Sequence, residues 1–247
     1  MTQIGYDTAG EIQNTYSSAH SEFGEDPAFW VRYFSPSPAA DIFSSDPTSE
    51  CEGAWASGGH YVGVISAPTQ SRLSGSTAEG QADAQTYCAS LLTAWDDVGP
   101  LKLPSNNALY CFLDQEYSTS LSSSYWDGWA NYVANYNFAS LGTYPLYPGL
   151  YCDPYSPYPN CSTIGAATGL NIPSIVWSNE PEPCGTLKSP PGYDADQCSS
   201  VSSSKVKSNL WQFGEQGACG YSADVDVDMC PTGFTYTNYC FDVVSNP

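Results

Sequence analysis

The chain alternates between short apolar runs and longer amphipathic stretches, a pattern that predicts strands separated by helices and loops. Its clearest strand covers 108–116, where an apolar run ends in two acidic residues. Its clearest helix runs from Ser76 to Trp95, and further helices are predicted for Thr48–Ser57 and about Ser122–Phe138. The other predicted elements are strands at Gln3–Asp7, Phe29–Phe34, Tyr61–Ser66, Tyr147–Cys152, Ser174–Trp177, Asn209–Phe213 and Ala223–Met229, a short helix near 163–168 and a loop over 179–205.

These elements predict the α/β class and a single domain covering residues 1–247. Most of the strands are separated by helical or loop connections, and a repeated strand–helix order implies a parallel sheet. At this chain length a closed (β/α) barrel of the TIM type, with about eight strands, is the favoured architecture. The late helices are weak in the pattern, so they are expected to be degenerate. An open, doubly wound sheet is the alternative.

The composition describes a packed globule with a strong negative charge. Apolar residues make up 41% of the chain and aromatic residues 14%, yet the formal net charge is −20 because 26 acidic residues face only six Lys and Arg. Nucleic acid is therefore not an expected partner, and neither is an anionic membrane surface, since both need a basic face. Such an acidic composition suits a protein that works outside the cell, and a monomer is expected.

Ten cysteines spread over the chain favour disulfides and an oxidising compartment, so the protein is predicted to be secreted and extracellular. No CxxC pair occurs and only two histidines are present, so neither a metal nor another cofactor is expected. The sequence does not fix the connectivity. The local candidate pairs are Cys152 with Cys161, Cys184 with Cys198, and two among Cys219, Cys230 and Cys240.

The acidic end of the 108–116 strand is the most informative feature for chemistry. Side chains two residues apart on a strand share a face, so Asp114 and Glu116 are expected to project together, with Cβ atoms roughly 6.5–7 Å apart. Burying two acids at the end of an apolar strand costs free energy unless the site uses them. Two neighbouring carboxyl groups are also the minimum needed to cleave a glycosidic bond.

Other acids and aromatic residues fall at or near the ends of predicted strands. In a parallel barrel the functional residues come from the carboxyl ends of several strands. Acids interleaved with indole and phenol rings describe a sugar-binding cleft. The additional candidates are Asp7 and Asp226 for catalysis, and Arg32, Tyr151, Trp177, Trp211, Gln212 and Asp228 for substrate binding.

Several of these residues also have simpler interpretations. The acids between Asp224 and Asp228 are compatible with an exposed strand that turns them to solvent, or with a calcium loop. Asp7 is compatible with a turn cap. Arg32 is compatible with an ion pair that holds the acids in place instead of contacting substrate. The sequence alone leaves these alternatives open.

Seven short motifs occur along the chain in this order: Gly5-Tyr-Asp-Thr, Arg32-Tyr-Phe-Ser, Ala78-Glu-Gly-Gln-Ala-Asp-Ala, Tyr110-Cys-Phe-Leu-Asp-Gln-Glu, Gly149-Leu-Tyr-Cys, Leu210-Trp-Gln-Phe and Val225-Asp-Val-Asp. Together they resemble the glycoside-hydrolase-like domain of unknown function 1906 and, more remotely, the family 25 lysozymes. The similarity spans about residues 4 to 229. The lysozymes share an early Gly-x-Asp, a central Asp-x-Glu, a Trp-Gln and a late Val-Asp.

The resemblance implies a (β/α) barrel with muramidase activity, which is hydrolysis of the β-1,4 bond between N-acetylmuramic acid and N-acetylglucosamine in peptidoglycan. By position, Glu116 matches the general acid and Asp114 its partner, while Asp7 and Asp226 match flanking carboxylates. The chain departs from the pattern in its cysteines and in the 179–205 segment, which affects the substrate expected.

Three alternatives to a muramidase remain at this stage. The first is a barrel that binds carbohydrate without cleaving it, since a fold does not guarantee activity. The second is a glycosidase for another polysaccharide, fungal or chitin-like, because a protein with a net charge of −20 is repelled by anionic cell walls. The third is a secreted structural protein stabilised by calcium.

Overall fold

The computed structural model describes residues 2–34, 42–97, 101–102, 104, 108–115, 120–136, 146–153, 174–180, 184–186, 188–195 and 206–243. Within these residues, strands close into an eight-stranded barrel with helices packed on its outside, so the predicted α/β barrel is confirmed. The predicted helix near 163–168 and most of the 179–205 loop lie outside the described residues. The barrel strands are β1 (Ile4–Asp7), β2 (Trp30–Tyr33), β3 (Tyr61–Ser66), β5 (Leu109–Gln115), β6 (Leu146–Cys152), β7 (Ser174–Asn179), β8 (Val206–Gly214) and β9 (Asp226–Met229).

Two further strands extend the sheet at its amino end. β4 (Leu101–Lys102) and β10 (Phe241–Val243) pair with each other, and β10 also pairs antiparallel with the first residues of β3. A 3₁₀ turn before β10 places Tyr236 inside the barrel, where its ring contacts Phe29 and Phe112. Its hydroxyl occupies the space where a side chain on Gly63 would lie. Aromatic packing therefore fills the amino end of the barrel.

The helices alternate with the strands through the first half of the chain. They are α1 (Ile12–Phe23), α2 (Pro47–Ala56), α3 (Thr77–Asp97), α4 (Ser123–Asn135) and the short α5 (Gln216–Cys219), with 3₁₀ turns at Phe43–Ser45, Gln70–Arg72 and Tyr236–Tyr239. In the part of the chain that the structure describes, none of the helices is long and apolar enough to cross a membrane.

Local sequence accounts for three of the helix starts. Ser76 and Glu79 form a reciprocal capping box before α3, in which the Ser76 N–H donates to Glu79 Oε2 at 2.8 Å. Asp46 and Ser122 accept from backbone N–H groups in the first turns of α2 and α4. These caps explain why the pattern predicted α2, α3 and α4 close to their observed positions.

α1 was not predicted, and its start depends on a distant residue. Its sequence is rich in Ser, Thr and Asn, which are poor helix formers. Glu11 at the N-cap makes no side-chain hydrogen bond, and the Ile12 N–H donates instead to Glu50 Oε2 of α2 at 3.0 Å. The helix ends at Gly24, whose φ of 71° is in the left-handed region. A cap that comes from another helix is not visible in a local pattern.

β9 departs from the parallel sheet that the sequence implied, because it runs antiparallel to both β1 and β8. Its first residue, Asp226, therefore lies at the end of the barrel where β1 and the other parallel strands finish. The register sets Asp226 directly opposite Asp7, the last residue of β1. This end of the barrel is called the mouth below.

The cysteine pairs predicted from local spacing are wrong where the structure describes them. Cys184 bonds to Cys219 of α5, not to Cys198, and Cys152 is a buried free thiol. Cys161 and Cys198 lie outside the described residues. The other free, buried thiols in the described ranges are Cys51, Cys88, Cys111, Cys230 and Cys240. A disulfide is present, as predicted, but most of the described cysteines serve as small core residues.

Candidate active site

The mouth of the barrel brings together acids from the first and last barrel strands. Asp7 ends β1, and Asp226 and Asp228 lie on β9, two residues apart and therefore on the same face. Val227, between them, faces the outer core and is fully buried. The exposed-strand interpretation of these acids is therefore wrong for Asp228, which is also fully buried.

A single side-chain amide joins two of these carboxyl groups. Nε2 of Gln212 on β8 donates to Asp7 Oδ2 at 3.1 Å and to Asp226 Oδ2 at 3.2 Å. The second oxygen of Asp226, Oδ1, accepts from the backbone N–H of Gln216 at 2.7 Å. The two carboxyls are thus fixed in position by neutral donors.

Asp228 lies deeper in the barrel, beneath the other two acids. Its Oδ1 accepts from Nε1 of Trp177 on β7 at 2.8 Å. Burial, together with the charge of Asp7 and a hydrogen bond to it, raises the pKa of Asp228 well above its usual range. The raised pKa favours the protonated form of Asp228, which can donate to the Asp7 carboxylate.

The same environment shifts the other two carboxyls in the same direction. Burial raises the pKa of Asp7 to about 6, although hydrogen bonds from Asp228 and Gln212 oppose the shift. Burial, and then the charge of Asp7, raise the pKa of Asp226 to about 8. The group as a whole therefore holds protons near neutral pH, as a site for acid catalysis requires.

Asp114 occupies the inner face of β5, at the register position opposite Tyr151 of β6. It is buried, with 3% of its surface exposed. Burial and then the charges of Asp7, Asp114 and Asp226 raise the pKa of Tyr151 well above its usual range, which places this hydroxyl among the acids. Glu116 lies outside the described residues, so its expected position beside Asp114 stays a prediction.

A cavity of about 270 Å³ opens at the mouth between the end of β1 and α5. Its lining includes Asp7 and Asp226, together with Asp224, which the sequence pattern assigned to an exposed strand or a calcium loop, and Glu215, which was not predicted. Glu215 was missed because the predicted strand ended at Phe213, two residues before it. Among the described lining residues there is no Lys or Arg, and the cavity is therefore strongly acidic.

Asn179 is a further polar residue that sequence analysis did not single out. It is the last residue of β7, and its amide donates to the Tyr151 hydroxyl at 2.6 Å. The predicted strand ended at Trp177, so the alternation that places Asn179 on the same inner face was not extended far enough.

Arg32 and Trp211 lie on the outer side of the barrel wall, not at the mouth. The guanidinium of Arg32 is fully buried and contacts both oxygens of Glu50, with Nη2 2.6 Å from Oε1. Its Nη1 donates to the backbone carbonyl of Thr8, next to Asp7. Trp211 packs among outer-core residues and donates to the Glu180 carbonyl. Arg32 therefore forms an ion pair, as its alternative interpretation holds, but with Glu50 of α2 and not with an acid at the mouth.

No group of three or more His, Cys, Asp or Glu side chains within the described ranges has an arrangement suited to a metal ion. The acids at the mouth are instead held by amide, indole and backbone donors. The chemistry available at the mouth is proton transfer by carboxyl groups.

The chain matches no protein-family model and no curated protein. Its fold is similar to that of an uncharacterized B. stearothermophilus protein, with 18% identity and a TM-score of 0.71 over 96% of this chain and 99% of the other. It is also similar to the Clostridium perfringens spore cortex lytic enzyme SleM, with 15% identity and a TM-score of 0.54 over 93% of this chain and 67% of SleM. Similarity at these identities shows a shared fold.

Proposed function

We propose that the protein is a secreted glycoside hydrolase of the muramidase type. It cleaves the β-1,4 bond between N-acetylmuramic acid and N-acetylglucosamine. The observation that carries the proposal is the meeting of Asp7, Asp226 and Asp228 at the mouth, with Asp114 on the inner face of the same barrel. The shared fold with a spore cortex lytic enzyme supports a peptidoglycan glycan as substrate.

In this proposal Glu116 is the general acid. It protonates the glycosidic oxygen as the bond to the anomeric carbon breaks; water then adds to that carbon and releases a proton, which restores Glu116 to its acid form. Asp114 stays ionised and stabilises the positive charge that develops on the sugar. Where the sugar carries a 2-acetamido group, Asp114 instead orients that group as an internal nucleophile. Asp7 and Asp226 supply the shared negative charge of the mouth.

The interior aromatic residues supply sugar contacts in the same proposal. Trp177 and Tyr151 pack edge to face on the inner side of β7 and β6, with ring centroids 4.6 Å apart. Both are almost fully buried, so only the small exposed part of each ring is available to a sugar. Arg32 and Trp211 lie on the outer side of the barrel wall and make no sugar contact in this proposal.

A polymer without acidic groups is the second candidate substrate. The observation that favours it is the acidic cavity, whose described lining includes four carboxyl side chains and no cation. A net charge of −20 adds long-range repulsion against anionic walls. A neutral, chitin-like glycan avoids both penalties.

The test is to incubate the protein with purified peptidoglycan and, separately, with a chitin-like polymer. New reducing ends are measured, and the released fragments are identified by mass spectrometry. We expect muropeptides that end in N-acetylmuramic acid. Glu116→Gln is expected to lower the rate by about 100-fold or more, the usual contribution of a general acid. Asp114→Asn is expected to lower it as well.

The matched control is Glu52→Gln, which removes an exposed carboxylate from α2. It is expected to retain the wild-type rate. A Glu116→Gln variant that works at the wild-type rate would remove Glu116 from the mechanism. Binding to either polymer with no new reducing ends would instead show a sugar-binding barrel. Cleavage of the chitin-like polymer alone would select the second candidate.

A further inference from the structure

We infer that Gln212 and Tyr151 are positioning residues, which hold the Asp7 and Asp226 carboxyls side by side and favour the ionised form of the pair. Sequence analysis had expected both residues to contact substrate directly. The catalytic consequence of this inference rests on the proposed function, because it concerns the same mouth. The effect on the carboxyls does not depend on any reaction.

The geometry is a continuous hydrogen-bond chain across three strands. The Asn179 amide on β7 donates to the Tyr151 hydroxyl on β6, and this hydroxyl donates to Gln212 Oε1 on β8 at 3.0 Å. Nε2 of Gln212 then donates one hydrogen towards Asp7 and the other towards Asp226. Both N–H bonds of a single amide are thus used on the two acids.

The direction of the chain follows from the chemistry of its ends. An ionised carboxylate only accepts hydrogen bonds, so the NH₂ group of Gln212 must face the acids and its oxygen must face Tyr151. The Tyr151 hydroxyl must therefore donate to that oxygen and accept from Asn179. Each of these three side chains is at most 7% exposed, so water does not compete for the links.

The charged groups around the pair mostly oppose its ionisation, while Arg32 and the hydrogen bonds from Asp228 and the Gln216 N–H favour it. Asp228 lies beneath the pair, Glu215 and Asp224 flank it, and Asp114 faces Tyr151 from β5. Each adds negative charge when ionised. The remaining charged or titratable groups that act on the pair or on Tyr151 are Arg32, through the barrel wall, and Tyr33 on β2.

Removing the amide donors should therefore weaken the ionised form of the pair. A hydrogen bond to a carboxylate lowers its pKa, so loss of Gln212 raises the pKa of Asp7 and Asp226. Gln212→Leu keeps a similar volume and deletes both donors. Tyr151→Phe leaves Gln212 in place but removes the hydroxyl that fixes its orientation. Its effect is expected to have the same sign and a smaller size.

The experiment is a ¹³C NMR titration of the aspartate side-chain carboxyls, with Asp7→Asn and Asp226→Asn variants used for assignment. Gln212→Leu is expected to move the titration midpoints of the pair upward by about 0.5–1 pH unit, a threefold to tenfold change in the ionisation constant. Tyr236→Phe is the matched control, because it removes a buried hydroxyl near the amino end of the barrel. It should leave these midpoints unchanged.

The outcomes separate this inference from the proposed function. Midpoints that stay at wild-type values in folded Gln212→Leu would overturn the inference; if that variant does not fold, Tyr151→Phe decides in the same way. If the wild type hydrolyses glycan, the pH–rate profile of each variant should shift with its midpoints. If the wild type cleaves nothing while the midpoints shift, the proposed function fails and the positioning role stands.

Discussion

Asp7 and Asp226 face each other across the antiparallel pair of β1 and β9, and one amide nitrogen of Gln212 donates to both of them. The first and last barrel strands close the barrel at this point. The pair of strands that closes the barrel therefore carries acids that repel each other when ionised. This arrangement lowers the stability of the folded protein at high pH, and we interpret this loss as a consequence of maintaining an acidic site.

The stability of the protein is expected to fall as the pH rises from about 4 to about 8. The folded-state pKa of Asp7 is about 6 and that of Asp226 about 8, both above the unfolded value of about 4. Such carboxyls contribute their full stability below the unfolded pKa and lose it as the pH passes through the folded pKa. Thermal unfolding across this pH range measures the effect.

The variant Asp226→Asn removes one ionisation and should flatten this dependence. At pH 8 it is expected to be more stable than the wild type by on the order of 1–3 kcal/mol, with little difference at pH 4. Asp194→Asn changes an exposed aspartate and serves as the control. A wild type that becomes more stable between pH 4 and pH 8 would contradict the cluster as described.

The buried ion pair between Arg32 and Glu50 gives a second prediction. Arg32→Met leaves Glu50 as an uncompensated charge beside the start of α1, and removal of one partner of a buried pair typically costs about 3–5 kcal/mol. The loss should appear in chemical denaturation as a lower midpoint with an unchanged slope. It should also loosen the turn at Thr8, whose carbonyl Arg32 binds.

Arg72 provides a matched control, because it forms a comparable pair with Asp83 at 2.8 Å but is 39% exposed. Arg72→Met is expected to cost less than about 1 kcal/mol. The double variant Arg32→Met with Glu50→Leu should recover part of the loss, since no buried charge is then left alone. Equal losses for the two single arginine variants would show that burial of the first pair does not matter.

Most strands and the closed barrel were predictable because they depend on local patterns. Apolar runs and short caps such as Ser122 before α4 are encoded within a few residues. The direction of β9 was not predictable. The sequence between β8 and β9 has no helix-length pattern that would show whether the chain crosses back before Asp226 and so runs parallel to its neighbours. The start of α1 was missed for a related reason: its cap is supplied by Glu50 from another helix.

The candidate site was likewise predictable only in part. The expectation that Asp7 and Asp226 would meet came from family resemblance and strand ends, and the register brings them together. Glu215 was missed because it lies beyond the predicted end of its strand, and Asp224 was assigned to an exposed strand or a calcium loop although it lines the cavity. Arg32 was expected at the mouth, but alternation along β2 turns it towards α2, where Glu50 neutralises it.

The third prediction concerns the disulfide between Cys184 and Cys219, which ties the chain after β7 to α5 at the edge of the mouth. The bond closes a loop over a separation of 35 residues, for which chain-entropy arguments give a stabilisation of about 2–4 kcal/mol. Cys184→Ser is expected to lower the unfolding free energy by this amount. It should also increase hydrogen exchange at Gln216, whose N–H binds Asp226.

A double-mutant cycle tests the bond itself. Either single substitution, Cys184→Ser or Cys219→Ser, already breaks the bond, so the double variant should cost no more than one single variant. Two unbonded thiols would instead give losses that add. Because α5 forms one wall of the acidic cavity, the proposed glycan hydrolysis should slow on loss of the bond even at temperatures where the variant stays folded. Additive losses with unchanged exchange at Gln216 would show that this connection does not hold the mouth together.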